Sequence, residues 1–295
     1  MMKKLIYLLL IAIGFSQVAF GQLTGVKTIP GSYATIAAAI TDLNTVGVGA
    51  GGVIFNVASG YTEVLTARLD ITATGTSTNP IVFQKSGAGA DPLLTAYAGT
   101  NLMTAATPDG MWSLTGSDYV TIDGIDLQEA VTNNTPVLQM EYGYGFFKAS
   151  ATNGCQYNTI QNCVVTLNKN NNTLGGNLAV DGSKAINVVN ALVSDQITVV
   201  TPTSTSGTNS YNRFYHNTLQ NCNIGIALIG FVDVTSSVLC DFGNDIGGSS
   251  AATGNNIINF GGAAGLAGTT NPAAGIRTLG QYDINVSFNN PSSGQ

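Results

Sequence analysis

Residues 117–127, SDYVTIDGIDL, decide the fold of this chain. Two short strands flank Gly124, a residue type that readily adopts the left-handed backbone conformation of a sharp turn. Because side chains alternate faces along a strand, Ile122 is expected to point into a core and Asp123 to point outward. A short strand, a left-handed turn and a second short strand form the unit of a solenoid when they recur.

The core of this stretch, Val120-x-Ile122-x-Gly124, returns downstream in degenerate form. The four further copies are Asn158-x-Ile160-x-Asn162, Asn212-x-Phe214-x-His216, Asn255-x-Ile257-x-Asn259 and Val286-x-Phe288-x-Asn290. A Tyr directly precedes each of the first three copies. Parallel coils stack about 4.8 Å apart, so equivalent residues are expected to form ladders, including an Asn ladder at the turns. The repeats predict an all-β solenoid; a β-sandwich of unrelated Asn-rich strands is the alternative.

The composition supports a folded β-protein. Charged residues make up 9% of the 295 residues and hydrophobic residues 44%, so the chain can bury a large core and is not expected to be disordered. Abundant Gly, Asn, Thr and Ser suit a long β-surface whose outer face is neutral and polar.

Residues 1–21 have the pattern of a secretory signal peptide. Lys3 and Lys4 precede an apolar run that is too short to span a membrane, and residues 19–21 form a small-x-small cleavage site. We therefore expect a secreted or cell-surface protein without a membrane span after cleavage. Cleavage removes two lysines and no acid, so the net charge of −6 becomes −8. This charge argues against nucleic acid as a partner, and mildly against a polyanionic glycan unless a cation bridges the charges.

An amphipathic helix is predicted near the start of the mature chain. Ser32 is a candidate N-cap, Ile36, Ile40 and Leu43 lie on one helical face, and glycines from Gly47 onward end the helix. A solenoid has an open apolar end that must be covered. We therefore predict a cap at residues 22–52 that contains this helix, followed by the β-helix at residues 53–295.

Several segments resemble the pectin-lyase-like family of right-handed parallel β-helix proteins. The runs TIAAAI at 35–40 and VIFNVASGYTE at 53–63 are similar to the helix, strand and turn that open these proteins, and NPIVF at 79–83 fits a following coil. The run GNDIGGSSAATGN at 243–255 resembles segments of large exported β-helix proteins of Bacteroidota. The resemblance implies a right-handed parallel β-helix over nearly all of residues 25–290. It also implies extracellular polysaccharide as a possible partner.

Residues 128–154 and 168–209 are predicted to be long insertions, where function usually lies on a rigid scaffold. The chain ends just after the strand at residues 286–290, and we expect the natural protein to continue beyond residue 295. Neither the coil number nor the oligomeric state follows from the sequence.

Four cysteines remain in an exported chain, so disulfides are possible. Cys163 and Cys222 each follow a similar Asn-rich run and are neighbours if those runs stack, whereas the register of the repeats places Cys163 against Asn217. Buried free thiols are at least as well supported as a bridge. A single His and the absence of Cys-x-x-Cys argue against zinc, and no metal site is predicted.

The resemblance implies two kinds of catalytic site, and the sequence matches neither motif. Similarity to the lyases of this family would imply an Arg or Lys base and a Ca²⁺ ion held by clustered acidic side chains. The best acidic cluster, Asp118, Asp123 and Asp126, is spread over a turn and two strands and does not form this motif. Family hydrolases imply paired carboxylates, and no Asp-Asp pair is present. Arg213 is the best candidate base, with Asp123 as its acidic partner; His216 is expected to be a turn or ladder residue.

An aromatic segment at residues 141–147, EYGYGFF, is the candidate for carbohydrate contact. Tyr142 and Tyr144 alternate on a strand and, if exposed, stack on sugar rings; packing of both rings into the core is the alternative. Tyr215, expected on the same outer face as Arg213, is a third candidate for carbohydrate contact. Trp112 is expected in the core.

The sequence therefore supports two alternative functions. The first is an exported, non-enzymatic, adhesin-like module that contacts extracellular glycan, with no cofactor. The second is a polysaccharide lyase or glycoside hydrolase that uses Arg213, with Ca²⁺ if it is a lyase.

Overall fold

The computed structural model describes residues 21–100, 108–169, 182–261 and 273–293. Strands make up 44% of the chain and helices 7%. All but the last residue of the predicted signal peptide lies outside the described residues, as do residues 170–181 of the second predicted insertion.

The elements follow one another in this order along the chain. The first are β1 (Leu23–Ile29), helix α1 (Ile36–Val46), β2 (Val48–Ala58), β3 (Thr62–Val64), β4 (Leu69–Ile71), β5 (Ile81–Ser86), β6 (Leu93–Thr95) and β7 (Gly110–Thr115). The next are β8 (Val120–Asp123), β9 (Asp126–Gln128), β10 (Tyr142–Lys148), β11 (Thr159–Gln161), β12 (Val164–Thr166), β13 (Lys184–Leu192), β14 (Arg213–Tyr215) and β15 (Thr218–Gln220). The last are β16 (Ile224–Ile229), β17 (Asp241–Phe242), β18 (Asp245–Ile246), β19 (Asn256–Phe260), β20 (Ala274–Leu279), β21 (Gln281–Tyr282), β22 (Asn285–Val286) and β23 (Asn290–Ser293).

Three long parallel sheets run along the molecule. The first sheet has the order β1-β2-β5-β8-β11-β14-β18-β22, the second β3-β6-β9-β12-β15-β19-β23 and the third β4-β7-β10-β13-β16-β20, and β17 pairs with β21. From β2 onward, each coil adds one strand to the first sheet and then to the second, and most coils continue into the third. This is the predicted fold class, a parallel β-helix.

The register of the first sheet confirms three of the five predicted copies of the repeat. Ile122 pairs with Ile160, and Ile160 pairs with Phe214, as the repeat requires. All three side chains are fully buried in the core.

The last two copies were aligned wrongly. Phe214 pairs with Ile246, which in turn pairs with Val286 rather than with Phe288. Ile257 belongs to the second sheet, where it pairs with Leu219. The reason is that strands of both sheets follow an Asn, so the Asn-x-Ile pattern does not identify the sheet.

The turns adopt the predicted left-handed conformation. Gly124, Asn162 and His216 have φ angles of 64°, 56° and 51°. His216 is thus a turn residue and forms a ladder contact, since its Nδ1 lies 2.8 Å from Oδ1 of Asn162.

Buried asparagines form the predicted ladders. Nδ2 of Asn158 donates to Oδ1 of Asn212 at 3.1 Å, and the backbone N–H of Asn212 donates to Oδ1 of Asn244 at 2.8 Å. A second ladder joins Asn217 to Asn255 at 3.0 Å across the next corner. These amides satisfy backbone groups that the turns leave unpaired in the interior.

Helix α1 covers one end of the solenoid. Its buried face, which includes the predicted Ile36, Ile40 and Leu43, packs against β1 and β4. The N-cap is Thr35 rather than Ser32, because Oγ1 of Thr35 accepts the backbone N–H of Ala38 at 3.0 Å. The predicted cap segment also contains β1, which already belongs to the first sheet.

The predicted insertions each contain a regular strand. Residues 128–154 contribute β10 and residues 168–209 contribute β13, and these strands pair in the third sheet. The segments that leave the coils are therefore shorter than predicted. All four cysteines are buried free thiols, and Cys163 lies against Asn217, whose Oδ1 accepts its backbone N–H at 3.1 Å.

Candidate functional site

The two predicted catalytic residues do not come together. Arg213 lies exposed on β14 and pairs in register with Asp245, whereas Asp123 aligns with Gln161 and Tyr215. The strand β11 separates β14 from β8, and Arg213 aligns with Thr121 rather than with Asp123. Two strand spacings and an offset of two residues place Arg213 and Asp123 about 12 Å apart. Their placement supports no acid–base pair.

The carboxylate of Asp123 is bound by neutral amides. Nε2 of Gln161 donates to its Oδ2 at 2.8 Å, and Nδ2 of Asn162 donates to its Oδ1 at 2.6 Å. Asp118 and Asp126 accept backbone N–H groups on other parts of the coil. Burial raises the pKa of each of these two carboxyls to about 6.

The aromatic segment on β10 is not available to a ligand. Tyr142 and Tyr144 are fully buried, so the prediction that they contact carbohydrate is wrong. The hydroxyl of Tyr144 donates to the carbonyl of Ile125 at 2.7 Å in the core, and the ring of Tyr142 packs on Phe147. The alternative of inward packing is correct, because the third sheet is covered on both faces at β10.

Tyr215 is half-buried and contacts other residues of the protein. Its hydroxyl donates to Oδ2 of Asp245 at 2.7 Å, and burial together with this bond raises the pKa of Tyr215 to about 12. Gly248 lies under the edge of its ring. Tyr215 therefore makes intramolecular contacts with both its ring and its hydroxyl.

A groove lies instead at the corner between the third and first sheets. It has a volume of about 410 Å³ and opens beside the two-stranded pair of β17 and β21. No charged side chain is among its twelve lining residues, which are Gln156, Tyr157, Thr205, Thr208, Ser210, Tyr211, Ser236, Ser237, Val238, Cys240, Phe242 and Tyr282. We call this feature the corner groove.

Two tyrosines that line the corner groove, Tyr157 and Tyr211, belong to a stack of three tyrosine rings. The ring centroids of Tyr119 and Tyr157 are 4.8 Å apart at an interplanar angle of 10°, and those of Tyr157 and Tyr211 are 4.7 Å apart at 6°. The row continues through Phe242 and Tyr282 in tilted contacts. The three tyrosines form the corner stack.

The local sequence explains why these rings stand at the surface. Tyr119, Tyr157 and Tyr211 have φ angles of 53°, 58° and 60°, so the chain turns sharply at each of them. Asn158 and Asn212 follow the last two, and their buried ladder fixes the coil directly beneath the rings. Each ring is thereby aligned with the ring of the next coil.

Two loops close the groove. In the first, Nε2 of Gln156 donates to the carbonyl of Thr205 at 2.7 Å, and the buried Lys148 donates through Nζ to the carbonyl of Gly207. In the second, Oδ1 of Asp233 accepts the backbone N–H groups of Thr235 and Ser236 at 3.0 and 3.2 Å. Both loops are thus held in place by their own hydrogen bonds.

The polar groups of the groove differ in availability. Oγ1 of Thr208 and Oγ of Ser210 lie 2.5 Å apart, and Ser210 also accepts the backbone N–H of Phe242 at 2.9 Å. By contrast, within the described residues the hydroxyls of Tyr157 and Tyr211 form no hydrogen bond to the protein. These phenols are the groups that the groove offers to a ligand.

The charged side chains of Asp241 and Lys148 lie near the groove but are buried. Asp241 is fully buried and accepts the backbone N–H of Asn209 at 2.8 Å, and burial raises its pKa to about 6. Burial lowers the pKa of Lys148, which lies near Asp241. The groove is therefore neutral where a ligand would touch it.

The sequence contained a signal for the corner stack that the residue predictions did not use. A Tyr precedes each of the first three copies of the repeat, and a ladder places such residues side by side. The loop residues that complete the groove, such as Val238, carry no comparable signal.

Neither a metal site nor a membrane helix is found in the part of the chain that the structure describes. Within residues 21–100, 108–169, 182–261 and 273–293, no three His, Cys, Asp or Glu side chains are placed to hold a metal. No helix in these ranges is both long and apolar enough to cross a bilayer. Comparison with known proteins gives no match to a family model, to a curated protein or to a solved structure.

Proposed function

We propose that this protein is an exported, non-enzymatic β-helix module that contacts extracellular glycan through the corner groove. The observation that carries the proposal is a concave, uncharged site walled by tyrosines and hydroxyl-bearing side chains. Binding sites are typically concave and largely apolar, with a few polar groups that fix the ligand. Tyrosine combines an apolar body with a hydroxyl, which suits the mixed surface of a sugar ring.

The position of the groove supports the same function. Its walls come from loops mounted on a rigid solenoid, which is where binding residues are concentrated in proteins. Export, a cell-surface or adhesin-like role and a pectin-lyase-like origin are part of this proposal, and they rest on the signal-like residues 1–21 and on the resemblance of the opening coils.

The test is a binding and activity screen of the protein without residues 1–21. Neutral and acidic polysaccharides are titrated calorimetrically, while ultraviolet absorbance and reducing ends report lyase and hydrolase products, with and without Ca²⁺. We expect binding without product formation, and at least a tenfold loss of affinity in Tyr282→Ala, which removes an exposed ring from the groove. The matched control is Tyr215→Ala on the first sheet, which should bind as the parent does.

The alternative function, a lyase or hydrolase that uses Arg213, has its own signature in this screen. Product formation that Arg213→Ala abolishes would overturn the non-enzymatic proposal and assign the active site to the outer face of the first sheet. Absence of both binding and product on every polymer would contradict the glycan proposal itself.

A further inference from the structure

We infer that the corner groove selects uncharged polysaccharide and rejects polymers of uronic acids; this inference rests on the proposed function.

The geometry of the corner stack excludes face-on stacking at its central ring. Tyr119 covers one face of the Tyr157 ring and Tyr211 covers the other, both at less than 5 Å between centroids. Nevertheless 37% of Tyr157 is exposed. The exposed part is therefore the ring edge and the hydroxyl, so a ligand meets Tyr157 through hydrogen bonds and edge contacts.

The hydroxyls of the stack form a row along the solenoid axis. Since the rings of Tyr157 and Tyr211 are nearly parallel, their hydroxyls repeat at about the spacing of the coils. Each phenol can donate one hydrogen bond and accept others, and neither is used by the described part of the protein. A chain of hydroxylated rings lying along this row meets one phenol per coil.

The charges around the groove determine the class of sugar. A carboxylate that leaves water needs a cation or several donors, since burial of an unpaired charge is costly. The lining contains no Lys, Arg or His, and the nearby Lys148 is fully buried and donates to Gly207. Asp118 lies near Tyr157, and Asp233 accepts a hydrogen bond from the lining residue Ser236, so the carboxyls beside the groove disfavour a uronate.

The phenol of Tyr157 completes the neutral surface. Burial, with the neighbouring rings of Tyr211 and Tyr119, raises the pKa of Tyr157 above its ordinary value. Val238 and Phe242 add apolar surface to the lining of the groove. An uncharged sugar can therefore place its hydroxyls on the phenols and its C–H groups on the apolar wall without losing the hydration of a charge.

The experiment uses matched pairs of polymers and the protein without residues 1–21. A neutral glucan, galactan and mannan are each compared with the same polymer oxidised at C6 to the uronate, by calorimetric titration at low and at high NaCl. We expect at least one neutral polymer to bind at least tenfold more tightly than its oxidised partner, with little dependence on salt.

The possible failures of this experiment are distinguishable. An oxidised polymer that binds as tightly as its neutral partner, or more tightly, would overturn the inference and leave the proposed function standing. Absence of binding by all six polymers would overturn both.

Variants test the mechanism of selection. The double variant Tyr157→Phe/Tyr211→Phe keeps the stack and removes both hydroxyls, and we expect a loss of about fivefold in affinity per hydroxyl. Tyr215→Phe is the control, because its hydroxyl is bound to Asp245 outside the groove. Unchanged affinity in the double variant would contradict the role of the phenol row.

A charge introduced into the groove gives the opposite test. Val238 is 58% exposed in the groove wall, so Val238→Lys adds a cation with little effect on the core. We expect this variant to bind the oxidised polymers at least tenfold more tightly than the parent protein does. Failure of the lysine to recruit them would argue that charge does not control selection.

Discussion

Two sets of tyrosines in this molecule have opposite environments. Tyr142 and Tyr144 on β10 are fully buried, whereas Tyr157 of the corner stack is 37% exposed with both ring faces covered. The β10 tyrosines alternate along one strand, whereas the corner tyrosines precede successive copies of the repeat. In the sequence, the alternation on β10 is the more conspicuous of the two patterns. The difference shows that the position of a residue within the coil, more than local aromatic density, decides whether a ring can meet a ligand.

The physical reason is the shape of a coil. Strand residues alternate between the core and an outer face, and on β10 that outer face is also covered by neighbouring segments. Residues at a left-handed turn project from a corner, where covering a side chain on all sides requires a loop. Tyr144 therefore contributes to stability, and the corner tyrosines combine a smaller contribution to stability with a surface for recognition.

The largest effect is expected from Tyr144→Ala. Loss of a fully buried ring and of its bond to Ile125 should lower the free energy of unfolding by about 3–5 kcal/mol. Urea unfolding followed by circular dichroism measures this, and protein that remains folded should keep its glycan affinity. A loss below about 1 kcal/mol would show that the ring is not part of the core.

The next effect concerns the residue that follows a corner tyrosine. Asn212 accepts two hydrogen bonds from Asn158 and donates one to the carbonyl of Cys155. Asn212→Ala should cost about 2–4 kcal/mol, because buried partners are left unpaired. The exposed Asn256 gives the matched control, Asn256→Ala, for which a change within about 0.5 kcal/mol is expected. Equal losses in the two variants would contradict the structural role of the buried ladder.

Tyr157→Ala separates recognition from stability within the corner. Removal of two ring contacts should cost about 1–3 kcal/mol, well below the loss for Tyr144→Ala, while glycan affinity should fall at least tenfold. Thermal unfolding and calorimetric titration on one preparation measure both quantities. Full retention of affinity would exclude the corner stack from the binding surface, whatever the change in stability.

A further expected effect is a dependence of stability on pH. Burial raises the pKa of Asp118, Asp126 and Asp241 to about 6 from an ordinary 3.8. The folded state then binds protons more tightly than the unfolded state, so this contribution to stability falls as the pH rises from about 4 to about 6.

We therefore expect a higher free energy of unfolding at about pH 5 than at about pH 7.5, measured in urea. Asp118→Asn should reduce the difference, and it tests the corner directly because Asp118 precedes Tyr119. A difference of the opposite sign would show that these carboxyls remain ionised and well solvated in the folded protein.

Much of the fold was predictable from local pattern. The alternation around Ile122, the left-handed residues Gly124 and Asn162 and the helix face of Ile36 each reflect constraints within a few residues of sequence, and each is found. The register of the last coils was not predictable, because Asn precedes strands of two sheets and the pattern around Ile257 fits either.

The candidate site was predictable only in part. The tyrosines that precede the first three copies of the repeat indicate an aromatic ladder, since equivalent residues of stacked coils must be neighbours. The corner groove also needs Val238 and Thr205, which reach the ladder through loops whose course depends on tertiary contacts. Arg213 and Asp123 were assigned to one site by residue type, but the β-strand register separates them.

The most direct test is a crystal structure of the protein with the tightest-binding neutral oligosaccharide from the screen. We predict that the sugar lies in the corner groove, with its hydroxyls within hydrogen-bond distance of the phenols of Tyr157 and Tyr211. A sugar bound instead on the outer face of the first sheet, beside Arg213, would contradict the assignment of the groove and would favour the enzymatic alternative.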